Sequence, residues 1–263
     1  MRRFATITVL IALIGVASPA GASQGEGPIH LGLGDSVAFG FGTERPEQHG
    51  YTAVLSRSAR GVDCQDGQKG GCPQLELVNM AVPGATSSTL ISGQLPGAVT
   101  LISQRNHDTD PGNDVELITI TIGGNDLFSP VVDACSAGVT PECVSVITNG
   151  LTNYAGNLGV ILGTLRATAG PDTRILVMTY YNPLGACFLA DLAPLANNVL
   201  EGGGGLPFGI NDIIRATAAV TQVEVAETFG VLDNTDFVGG MDCLHPNKHG
   251  YHQIAKAFAK TLR

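Results

Sequence analysis

The chain contains no tryptophan, few aromatic side chains of any kind (5%), and only 14% charged residues among its 263. Sugar-binding clefts commonly stack aromatic faces on their ligands, so this scarcity argues against a carbohydrate-stacking pocket. Basic residues are scarcer still. The 14 Lys and Arg, less Arg2 and Arg3 of the leader described below, leave 12 against 23 acidic residues, a formal charge of −11. Such a surface repels phosphate backbones and excludes nucleic acid as a partner. No Cys-x-x-Cys pair occurs, which argues against a cysteine metal site. Beyond the first 22 residues no apolar run is long enough to span a bilayer, and neither an internal repeat nor a second domain is visible.

What is present begins with a leader. Arg2 and Arg3 form a basic start, Ile7 to Val16 is an apolar stretch short for a membrane span, and Ala20-Gly21-Ala22 is a small-x-small cleavage site. Residues 1–22 are therefore expected to be a secretory signal peptide cut after Ala22, and the protein to be extracellular. The remainder, 23–263, is long enough for one sizeable core and is expected to act as a single domain and a monomer. Six cysteines in an exported chain imply three disulfides. Fifteen pairings exist, and spacing favours Cys64–Cys72 and Cys135–Cys143 as loop staples, leaving Cys187–Cys243.

Apolar runs at Ile29–Leu33, Leu75–Met80, Val115–Ile122, Arg174–Thr179 and Val223–Ala226 predict five strands, and their β-branched, bulky composition suits strands covered on both faces. Helical stripes lie between and after them. Leu151, Tyr154, Leu158, Ile161, Leu162 and Leu165 share one face, as do Tyr251, Ile254, Ala255, Phe258 and Leu262. The alternation predicts an α/β fold, a parallel sheet between two helical layers. Ligands in such sheets bind beyond the carboxyl ends of the strands. Ser36, Gly84, Asn125 and Asn182 each follow a strand and so fall on one rim. Gly202–Gly205 interrupts helical segments where a flap could hinge.

Ser36 follows a buried strand and a Gly34-Asp35 turn, which would project its hydroxyl at the rim, although Asp35-Ser36 also suits a helix cap. A serine hydroxyl needs a neutral imidazole to take its proton, and the imidazole needs a partner that fixes its tautomer. His245, with Asp242 three residues before it, supplies both. Pro246 fits a first helical turn, so His245 is expected at or before a helix start. That arrangement disfavours a helical zinc site of His245, His249 and His252, and no Glu follows in a zincin-like position. His249 and His252 are expected to face solvent, and His30 and His107 to be structural. Gly123-Gly124-Asn125-Asp126 has the composition of a β-turn, yet its amide could also donate to an oxyanion. Gly84 is a turn glycine whose N–H could do the same from a helix start. A dinucleotide site at Gly32-x-Gly34 is disfavoured because Val37 stands where the third glycine is needed.

Together the four segments resemble the SGNH (GDSL-type) hydrolases, over nearly the whole chain after the leader, and most of all their secreted bacterial lipase/esterase branch. Gly34-Asp35-Ser36, Gly84, Gly123-Gly124-Asn125-Asp126 and Asp242-x-x-His245-Pro246 match the family's blocks in order and spacing. Val37 departs from the leucine of the family name. The α/β-hydrolase elbow Gly-x-Ser-x-Gly is not met, because Ala38 occupies the last glycine's place. The resemblance implies a three-layer α/β/α, flavodoxin-like, five-stranded parallel sheet and a secreted esterase or lipase acting through an acyl-serine. Ser36 would be the nucleophile, His245 the base and Asp242 its orienting carboxylate, a role a backbone carbonyl fills in some relatives. The N–H groups of Ser36 and Gly84 and the Asn125 amide would form the oxyanion hole. The expected partner is a small-molecule or lipid ester, with no metal and no cofactor. A carbohydrate O-acetyl esterase on the same scaffold is the alternative, and a non-catalytic extracellular binding protein the more distant one.

Overall fold

A computed structural model of the chain describes residues 27–58, 74–136 and 138–263. The expected leader and the expected Cys64–Cys72 bridge lie outside these residues. The chain runs β1 (Ile29–Gly34), α1 (Ser36–Phe39), α2 (Pro46–His49), α3 (Tyr51–Ser58), β2 (Glu76–Asn79), α4 (Ser87–Arg105), β3 (Val115–Thr121), α5 (Gly124–Cys135) and α6 (Pro141–Ala169). It continues with β4 (Arg174–Met178), α7 (Ala193–Glu201), α8 (Ile210–Thr221), β5 (Glu224–Ala226), β6 (Phe237–Gly239), β7 (Asp242–Pro246) and α9 (Lys248–Thr261). The first five strands form one parallel sheet in the order β2-β1-β3-β4-β5. This is the flavodoxin-like order, and it reverses direction at the β1–β3 junction, where such sheets open a crevice.

Burial explains why these segments are strands. All six residues of β1 are buried, as are all of β3 but Glu116, so both faces of these two strands are covered. The stripe of α6 from Leu151 to Leu165 is wholly buried and packs against α4, α5 and α8. Helix starts are chemically marked. Thr140 accepts from the Cys143 N–H with Pro141 behind it, and Thr86 and Thr89 form a reciprocal capping box on α4. Among the described residues no helix is long and apolar enough to cross a membrane.

One reading is corrected. Pro246 does not open the last helix. It is the final residue of β7, which pairs antiparallel with β6, and Asn247 caps α9 by accepting from the N–H groups of His249 and Gly250. His245 therefore sits on a strand, held by a ladder as well as by the helix that follows. The short β6–β7 hairpin was not foreseen, because three- and five-residue strands carry too little periodicity to read.

Candidate active site

The turn that carries Ser36 is built by exclusion. Gly34 has φ +131°, and a β-carbon there would lie 1.9 Å from the Thr121 carbonyl oxygen, so only glycine lets β1 turn this closely over β3. Gln94 of α4 clamps the same residue on both sides, accepting from Gly34 N–H and donating to its carbonyl at 2.8 Å each. Asp35 then caps α1, its Oδ1 accepting from Val37 N–H at 2.9 Å, and Ser36 is the first helical residue. Capping and presentation of the hydroxyl are thus one feature. Asp35 is buried and also accepts from Thr121 Oγ1 (3.1 Å) and the Tyr180 hydroxyl (2.5 Å). Burial pushes its pKa up to about 6, with Tyr180 and the other donors pulling against that rise.

His245 Nε2 stands 2.9 Å from Ser36 Oγ, across 209 positions of sequence. Its Nδ1 faces both oxygens of Asp242 at 2.9 and 3.0 Å, which places the proton on Nδ1 and leaves Nε2 to accept. The N–H groups of Leu244 and His245 donate to Asp242 Oδ1 at 3.1 and 3.0 Å, so the carboxylate is oriented by its own strand. Partial burial raises the Asp242 pKa, but those two donors and the imidazole outweigh it and hold it below the usual carboxylate value. Phe41 lies against the imidazole with ring centroids 4.6 Å apart. The side chains of His245 and Asp242 are 16% and 25% exposed, half sheltered yet open to a substrate.

Asn125 occupies the first turn of α5 rather than a β-turn, behind Gly123 at φ +126°. A β-carbon on Gly123 would strike the Tyr154 ring at 2.5 Å. Asn125 Nδ2 donates to the Ala85 carbonyl at 2.9 Å, which ties this block to the turn containing Gly84, and its second N–H remains for another acceptor. Gly84 is exposed at φ +81° in that turn, two residues before the Thr86 cap of α4. Asp126 fastens the two blocks further. It accepts from the N–H of Ser87 at 2.8 Å and from the Ser87 hydroxyl, which Asn157 also reaches at 2.9 Å.

The remaining candidates divide. Asn182 lies past β4 but binds the Ala193 carbonyl and Asn197, so it anchors the start of α7 and takes no part in the constellation. His30 is buried between Ser56 and Thr119. His107 is exposed in a turn. His249 faces solvent on one side, and its Nδ1 meets the buried Asp236 at 2.5 Å; His252 is half-buried. No group of three or more His, Cys, Asp or Glu that could hold a metal gathers among the described residues. Cys187 is bonded to Cys243, tying the loop after β4 to the strand of Asp242 and His245, and Cys135 to Cys143, joining α5 to α6. Gly202–Gly205 turns between α7 and α8 with all four φ values positive.

A cleft opens beside Ser36 and His245, walled by α5 and α7 and floored by the segment after β4. Leu127, Phe128, Val131, Leu195, Val199 and Ile210 give it hydrocarbon sides. Gln94, Tyr180 and Tyr181 were not among the candidates read from the sequence, and Asp126 stood there only as part of its block, with no role. A glutamine on the buried face of a helix and a Tyr-Tyr pair straight after a buried strand were the available signals.

The family model for GDSL-like Lipase/Acylhydrolase matches residues 31–258. No curated protein matches the sequence. Among solved structures the chain is similar to an extracellular lipase from Streptomyces rimosus, at 17% identity and TM-score 0.58, over 89% of this chain and 99% of that one. A phospholipase A1 from Streptomyces albidoflavus gives 16%, 0.56, 89% and 99%. An acetylxylan esterase from Geobacillus stearothermophilus gives 17%, 0.53, 90% and 95%. At these identities the likeness is one of fold.

Proposed function

The chain belongs to the GDSL-like lipase/acylhydrolase family and is a carboxylic ester hydrolase; we propose that it cleaves esters of apolar acyl groups through an acyl-serine at Ser36. The observation that carries this reading is the unbroken hydrogen-bonded line Ser36–His245–Asp242 at the mouth of a hydrocarbon-walled cleft. Ser36 Oγ attacks the ester carbonyl carbon as His245 Nε2 takes the hydroxyl proton. Asp242 keeps the imidazole in the accepting tautomer and stabilises the cation that forms. The developing oxyanion is met by the N–H groups of Ser36 and Gly84 and by the free N–H of Asn125. Collapse expels the alcohol, which takes its proton from the imidazolium, and a water activated by the same imidazole then releases the acid.

The walls of the cleft favour a fatty or other apolar acyl group over acetylated sugar, in line with the lack of tryptophan. Export is supported by the leader-like residues 1–22 and by the disulfides Cys135–Cys143 and Cys187–Cys243. One chain supplies every group the reaction uses, so no partner subunit is required.

Ser36→Ala should abolish turnover of a p-nitrophenyl ester while the circular dichroism spectrum stays that of the parent. Retained turnover would remove Ser36 from the mechanism. On a panel from acetate to palmitate, set beside acetylated xylan and a phospholipid, kcat/KM should peak above acetate. A maximum on acetylated xylan would give the substrate to the carbohydrate reading.

A further inference from the structure

All five tyrosines of the chain are buried, and four donate their hydroxyl to a segment carrying the proposed chemistry. Tyr180 donates to Asp35 Oδ2 at 2.5 Å, beside Ser36. Tyr181 donates to the Leu244 carbonyl at 3.2 Å, beside His245. Tyr154 donates to Ile122 at 2.9 Å, three residues before Asn125, and Tyr251 to Phe41 at 2.6 Å, whose ring lies on His245. The fifth, Tyr51, stacks on Phe258. A core asks only for volume, which phenylalanine supplies without a polar atom. A buried hydroxyl costs free energy until it recovers a hydrogen bond, so four such bonds converging on one site mark a function for the oxygen.

Tyr180 and Tyr181 are consecutive residues just past the end of β4. One reaches the nucleophile turn and the other the base strand. Ser36 and His245 themselves share a single hydrogen bond. The tyrosine backbone is a firm origin for both reaches. Asn211, fully buried, accepts from Tyr180 N–H at 2.6 Å and donates to its carbonyl at 2.9 Å. Glu201 accepts from Asn211 at 2.7 Å and is held in turn by Arg215 at 2.8 Å.

We propose that Tyr180 and Tyr181 are a positioning pair that sets the separation of Ser36 from His245 by holding each of their neighbours to one rigid point after β4. The inference rests on the reading of those two residues as nucleophile and base. Burial holds both phenols well above their ordinary pKa, so each stays a donor. The Tyr180 bond runs to a carboxylate and is of the stronger, charge-assisted kind. A misplacement of about 1 Å between reacting groups costs on the order of 10² in rate, so modest slack should be measurable.

The test compares Tyr180→Phe, Tyr181→Phe and the double variant, which keep the rings and the cleft wall. Steady-state constants on a p-nitrophenyl ester are read beside the rate of inactivation by a p-nitrophenyl alkylphosphonate, with the labelled residue identified by mass spectrometry. Each single variant should lose about tenfold in kcat with KM within about twofold, and phosphonate inactivation should slow in parallel. The double variant should lose less than the product of the singles, because both bonds govern one distance. A raised KM with unchanged kcat would make the pair mere cleft wall, and unchanged phosphonate rates would make it mere scaffold. A double loss equal to the product would mean two independent effects. Any of the three overturns the proposal while leaving Ser36 as nucleophile. A phosphonate label on another residue of the parent protein would instead remove the catalytic reading itself. If Tyr180→Phe does not fold, Asp35→Asn weakens the same bond from the acceptor side and carries the same expectation.

Discussion

In the proposed oxyanion hole, Asn125 would act through a single amide proton. One amide proton is committed to the Ala85 carbonyl, which fixes the plane of the amide and so aims the other proton. Asn125→Ala should lower kcat by roughly 10²–10³ with a small change in KM, the cost of one oxyanion donor. A loss below about threefold in steady-state assays would mean that the amide does not donate. The same economy holds at Asp242, whose two backbone donors and imidazole partner keep it ionised below the usual carboxylate range. Its folded pKa is depressed, so the stability it adds is present above its unfolded pKa and lost only as pH falls through the folded one.

At the scale of elements, the β6–β7 hairpin is the least self-sufficient part of the site. Two strands of three and five residues cannot hold a histidine by themselves. Asn247 donates to the carbonyls of Thr235 and Phe237, and Cys243 is bonded to Cys187. Removing this bridge by Cys187→Ser with Cys243→Ser should cost roughly 2–4 kcal/mol in urea unfolding, because it frees a loop closed across 56 positions. It should also lower kcat several-fold, since it frees the strand carrying Asp242 and His245. A variant with parental kcat would show that the hairpin is held by Asn247 and packing alone.

For the molecule as a whole, two buried titratable groups oppose one another across mild acid. His30 lies fully buried between Ser56 and Thr119, and burial lowers its pKa to about 3 from 6.5. Between those values the unfolded chain binds a proton that the folded chain refuses, so stability falls as pH drops through this window. Asp35 acts the other way. Its folded pKa of about 6 lies above the ordinary 3.8, so the folded chain takes the proton first and gains stability as pH falls from 6 towards 4. Replacing His30 isolates its share. From pH 7 to pH 4, the stability of His30→Gln relative to the parent should shift in the variant's favour by on the order of 3 kcal/mol. A difference that does not move with pH, measured by urea unfolding at both values, would place the parent's acid sensitivity elsewhere.

The five sheet strands, the α6 stripe and the rim positions of Ser36, Gly84 and Asn125 were legible from the chain alone, because hydrophobic period and turn composition are local properties. The parallel order then follows from strand–helix alternation and the handedness of its crossovers. The assignment of Pro246 to a strand, the hairpin around it and the work of Gln94, Asp126 and the tyrosine pair were not legible. The hairpin strands are too short to show a period, the other residues act on partners 39 to 145 positions away, and no periodicity within a segment encodes the register between segments. That register is set when the buried faces pack together, and only there does the 2.9 Å between an early hydroxyl and a late imidazole come to exist.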